Sequence, residues 1–184
     1  MTFEDELARH AWGRLRAARD PSGLPDAFRA IASAPDAQAA DAAYWRIDNT
    51  VLVQGSLHES AEAAATVGVV ALVHATPPGR ARLLELLGQI AAGEAAPSET
   101  AAGNAGLAAR CQHEVARGFP VYVAFLGSTD EPDELASCID LLGLAARADA
   151  ALSSQARFHL ERLLSRGIPA GLEKLTRGWL EELS

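Results

Sequence analysis

Five polar residues gathered within twelve positions, Asp48, Asn49, Gln54, His58 and Glu59, bring a titratable imidazole, two carboxylates and two amides to one junction between helical segments. A pocket for a small ligand or a hydrolytic centre needs convergent groups of these kinds. Acyl-transfer chemistry also needs a nucleophile held by a base. Ser56 and Ser60 flank His58 in sequence, but neighbours in sequence do not establish that hydrogen bond. An alternative use is purely local: Asp48 and Asn49 capping a helix end, Gln54 and Gly55 forming a tight connection, His58 and Glu59 solvated on a first turn.

Other chemistry finds less support. Cys111 and His113 stand two residues apart, and on a helix such positions point about 200° apart, so they do not chelate one ion. No metal or other cofactor is expected. The glycines of Gly103-Asn104-Ala105-Gly106 enter a helix with no following Lys-Ser or Lys-Thr pair, which is not a phosphate-binding pattern. The formal net charge of −8 argues against nucleic acid, because phosphate binding depends on clustered Lys and Arg. It also counts against a helical-repeat base glycosylase, which needs a basic groove and stacking aromatics. A basic protein partner suits the charge better.

The elements that must position these residues announce themselves by repetition. Leu84-Glu85-Leu86-Leu87-Gly88-Gln89-Ile90-Ala91-Ala92 returns as Ile139-Asp140-Leu141-Leu142-Gly143-Leu144-Ala145-Ala146. The copies lie about 55 residues apart, or roughly 44 without the polar and small insert Glu94 to Asn104, the period of stacked helical hairpins of the HEAT or armadillo kind. In such stacks one layer of helices lines the partner face. Here that layer would show Glu85, Gln89, Glu134 and Asp140, an acidic surface, with the insert reaching over its rim as a loop.

With 184 residues, 49% hydrophobic but only 5% aromatic, the chain has material for one core built from many small contacts. One domain over residues 1–184 is expected. The opening Met1-Thr2-Phe3-Glu4-Asp5-Glu6 has no basic or apolar leader character, which points to the cytoplasm, where Cys111 and Cys138 would remain free thiols. No apolar run approaches the roughly 20 residues that span a bilayer.

Apolar spacing predicts helices over Phe3 to Arg19, ended by Pro21-Ser22-Gly23; after Pro25; and over Ala37 to Ile47, ended by Asp48-Asn49-Thr50. Further helices follow over Leu57 to Ala75, apolar nearly all round and so buried on several sides, and over Arg80 to Ala92. Ala105 to Leu126 reads as one helix kinked at Pro120, followed by Pro132 to Arg147, Leu152 to Arg166 and Ala170 to Leu183. A competing assignment makes Val67 to Val73, Val121 to Leu126 and Val51 to Val53 buried parallel strands, since short apolar runs do not distinguish strand from helix. The absence of a turn before Val67 and the shortage of further strands favour all-α.

The run Tyr44-Trp45-Arg46-Ile47-Asp48-Asn49-Thr50-Val51-Leu52-Val53-Gln54-Gly55-Ser56-Leu57-His58-Glu59-Ser60-Ala61, continued by Arg82 to Glu94 and Arg110-Cys111, resembles bacterial HEAT-like helical-repeat proteins, most of them without an assigned function. The resemblance covers about two thirds of the chain. It implies a soluble binding module, monomeric or homodimeric, whose partner surface takes in Tyr44 and Trp45, and some such proteins serve as immunity partners of toxins. The expectation is therefore an all-α, HEAT-like stack acting as a non-enzymatic protein-binding module, an antitoxin-like inhibitor being one concrete form. The alternative is a hydrolytic enzyme or small-ligand sensor in the Asp48 to Glu59 pocket.

Overall fold

Three of the α-helices start at a side chain that caps them. In the computed structural model, which describes residues 2–184, Thr2 and Asp5 exchange side-chain to backbone hydrogen bonds and open α1, Phe3–Arg9. Gly23 precedes α2, Leu24–Ala32, which carries Pro25 in its first turn. Asp36 accepts from the Ala39 amide at 2.8 Å and opens α3, Ala37–Val51. After α4, Ser60–Leu72, Thr76 caps α5, Pro77–Ala92. The remaining helices are α6, Pro97–Ala101; α7, Leu107–Ala116; α8, Phe119–Ser128; α9, Pro132–Ala148; α10, Ser153–Leu164; and α11, Ala170–Glu182. Among the described residues the regular structure is helical apart from three two-residue strands.

The helices arrange themselves in a definite order. Arg82 of α5 bonds Asp41 of α3, and farther along Gln89 bonds Tyr44, so α3 and α5 run side by side in one direction. Arg80 and Glu134 pair at 3.0 Å where α5 and α9 begin, which sets these two in the same direction with the repeated phrases level. Trp179 on Asp140 and Arg147 with Glu182 continue the row to α11. Behind it, α2 packs on α3, α4 on α5, α7 and α8 on α9, and α10 on α9 and α11. One buried apolar cluster runs through the layers from Leu7 to Leu172.

Several expectations are corrected by side-chain chemistry. The first helix stops at Arg9 because the buried Trp12 indole donates to the Leu7 carbonyl at 2.8 Å, taking an acceptor a continuing helix would use. Conversely, α3 runs through Asp48-Asn49-Thr50. Asn49 and Thr50 donate to the Trp45 and Arg46 carbonyls, so these residues are absorbed into its final turn. Pro120 starts α8 as a separate helix, its missing N–H costing nothing in a first turn. The two longer Val-rich runs are helical, and only Leu52–Val53 is extended, pairing antiparallel with Ser56–Leu57. Gln54 and Gly55, both at positive φ (51° and 80°), make the two-residue turn between them.

The insert is not a free loop. Glu94–Ala95 adds a parallel strand beside Ser56–Leu57, and α6 carries Glu99 beneath the Arg16 guanidinium, which holds it at 2.7 Å. Burial pushes the Glu99 carboxyl up, but Arg16 and Asn104 more than offset this and the net shift is downward. Glu59 also accepts from the Arg16 amide, so one arginine ties the N-terminal segment to both α4 and the insert.

The two copies of the phrase differ in what covers their glycine. A Cβ on Gly143 would lie 2.1 Å from the Trp179 ring, whereas one on Gly88 would meet nothing within 4 Å. Gly143→Ala should therefore destabilise the protein by about 1–3 kcal/mol through overpacking. Gly88→Ala should be neutral or stabilise by up to about 1 kcal/mol through helix propensity, urea unfolding of the pair providing the comparison.

Candidate functional site

Residues on α3 separated by helical spacing, Asp41, Tyr44 and Asp48, project toward α5 and meet Arg82, Glu85 and Gln89. Tyr44 is buried, and its hydroxyl accepts from Gln89 Nε2 at 2.7 Å. Arg82 donates to both Asp41 and Glu85, with its guanidinium carbon 5.8 Å from the Tyr44 ring centroid. Desolvation, followed by the charges of Glu85 and Asp48, raises the Tyr44 phenol above its ordinary pKa, so it stays protonated.

Asp48 carries the strain in this group. Only 9% exposed, its carboxyl is pushed above the ordinary carboxylate value first by burial and then by the Glu85 charge. A hydrogen bond with Tyr44 offsets part of that rise. Beside these groups a cavity of about 410 Å³ opens between α3, α5 and α9, floored by Ala37, Ala81 and Ala136 and edged by Glu85, Asp133 and Arg82. Arg82 is the one cationic side chain lining it. The groove is thus acidic, with small residues leaving room for a long side chain to enter.

The other candidate residues have separate surroundings. Trp45, 56% exposed, stands edge-to-face against Tyr44 and faces a second cleft with Arg19, Arg46 and Asn49. Gln54 lies exposed in its two-residue turn, and Glu59 faces Arg16 rather than Asp48. His58 is half-buried, its amide donating to the Val51 carbonyl. Of the four residues expected on the partner face, Gln89 is exposed and Glu85 half-exposed. Asp140 is half-buried and accepts from the Trp179 indole at 2.8 Å. Glu134, only 4% exposed, is engaged by Arg80.

Asp41, Arg82 and Asp133 escaped the sequence reading. For the first two a signal existed: Asp41 stands one turn before Tyr44 and two before Asp48, and Arg82 stands one turn before Glu85. Asp133 joins only because α9 lies beside α5. Among the described residues no group of three His, Cys, Asp or Glu side chains is placed to hold a metal ion. Cys111 and Cys138 are free and buried, burial pushing each thiol up to about 12. Among the described residues no helix is long and apolar enough to cross a membrane. No family model, curated protein or solved structure matches this chain.

A carboxyl whose folded pKa is raised favours the fold below that pKa, and the benefit disappears as pH rises through it. Asp48→Asn should accordingly raise the melting temperature at pH 7 by about 2 °C or more. The gain should vanish at acid pH, where Asp48 is itself protonated, which thermal unfolding followed across pH will show.

Proposed function

We propose that this protein is a non-enzymatic protein-binding module, a HEAT-like stack of helical hairpins whose acidic α3–α5–α9 groove receives a basic segment of a partner. The architecture part of this reading is supported by the row α3, α5, α9, α11, each member backed by the helix that precedes it in the chain. The repeated phrase recurring on adjacent helices of that row supports it further.

The observation that carries the binding assignment is the acidic lining of this groove. Two carboxylates, Glu85 and Asp133, share a groove lined by a single guanidinium that also pairs with Asp41, so the groove gains from an additional cation placed there. A partner arginine or lysine would supply it, with the Ala37, Ala81 and Ala136 floor accommodating its aliphatic stem. An inhibitor that occludes a basic toxin is a concrete form of this function, since acidic inhibitors capture basic targets by fast, salt-sensitive association.

The test is affinity capture from the native host with salt elution, repeated with the double variant Glu85→Lys, Asp133→Lys after circular dichroism has verified folding. A stoichiometric basic protein held by the natural chain and bound at least about tenfold more weakly by the variant is expected. Equal retention by both proteins, or no basic partner at all, would sink the assignment.

A further inference from the structure

On the opposite layer the electrostatics reverse. Between α8 and α10 lies a cavity of about 250 Å³ bordered by His159, Arg162 and Arg166, with Val123, Leu126 and Leu163 forming its apolar wall. No carboxylate lines it, although the chain as a whole carries a net charge of −8. Three cationic or titratable donors thus border one open cleft, in a chain whose acidic residues outnumber its basic ones.

Each donor is placed by the fold. Arg166 Nη1 donates to the Leu126 carbonyl at 2.9 Å, which anchors the guanidinium at the cavity edge. Its Nη2 lies 3.5 Å from Asp130, but that carboxylate is 98% exposed and therefore well screened. Arg162 has no carboxylate partner among the described residues. The His159 ring stands edge-on to Phe158 and Phe119, with centroids 5.2 and 6.5 Å away. Desolvation and then the Arg162 charge hold this imidazole below its ordinary pKa. The Arg162 contribution to that shift is what a bound anion would neutralise.

We infer that this cavity binds a small phosphate monoester, its dianionic head held by Arg162, Arg166 and His159 and its apolar substituent resting on Val123, Leu126 and Leu163. Two guanidinium forks and an imidazole match the several oxygens and double charge of a phosphate better than the two oxygens of a carboxylate. The apolar wall favours an ester over the bare ion. The site is independent of the acidic groove on the α3–α5–α9 face.

Phenyl phosphate serves as the probe, with benzoate and inorganic phosphate for comparison, using calorimetry together with NMR of the His159 ring. Phenyl phosphate should bind more tightly than either and move the His159 resonances toward those of imidazolium. Arg162→Gln should weaken binding at least about tenfold, the loss expected for one charge-assisted pair. Arg162 is exposed, and unchanged thermal unfolding will show that the variant remains folded. Unmoved His159 resonances at millimolar phenyl phosphate, undiminished binding by folded Arg162→Gln, or benzoate binding equally well would each overturn the inference.

Discussion

The rest of the fold depends on α5 lying against α9. Leu83, Leu84, Leu86, Leu87 and Ile90 on one helix, and Ile139, Leu141 and Leu142 on the other, are wholly excluded from water. Because both helices bury more than one face, neither is stable without neighbours on either side. The consequence is visible in what packs around them: α3 and α4 flank α5, while α7, α8, α10 and α11 gather on α9. A row of helices with a second layer behind it is the arrangement that satisfies so much apolar surface at once. The Arg80–Glu134 pair sets the level at which the two meet.

Several ion pairs then hold these layers in place. Arg16 grips Glu59 and Glu99, Arg82 joins Asp41 and Glu85, and Arg110 joins Glu62 and Asn104. A buried or half-buried charge with a partner is electrically quiet. Two places depart from that rule in opposite senses: Asp48 faces Glu85 on the front layer, and His159 faces Arg162 on the back. Glu85 and Asp133 at the front cavity, and Arg162 and Arg166 at the back one, leave potentials that ligands of opposite sign can relieve, and this contrast separates the two candidate surfaces from ordinary ion pairs.

The helical character of α5 and α9 was legible because it is local. Leucines at helical spacing are readable without knowing where the helix goes, and Leu83, Leu86, Leu87 and Ile90 of α5, so spaced, are buried. Burial of α4 on several sides was legible for the same reason. By contrast, Trp12 ending α1 and Asn49 and Thr50 being absorbed into α3 turned on single hydrogen bonds to backbone carbonyls, which outweigh small differences in propensity. The site was half legible. Tyr44, Asp48, Glu85 and Gln89 were named from sequence and do meet, whereas Glu59 was grouped with Asp48 by proximity in sequence and faces Arg16 instead.

By itself the sequence determined that the chain is helical and where most of its helices lie, because both follow from spacing within a few turns of chain. Only the tertiary structure decided which charges are neutralised and which are left facing their own kind. The pairs that settle it join residues 41, 54 and 83 positions apart, Arg82 with Asp41, Arg80 with Glu134 and Arg16 with Glu99. Coulomb energy depends on distance and desolvation in space, and neither is encoded in the order of neighbouring residues.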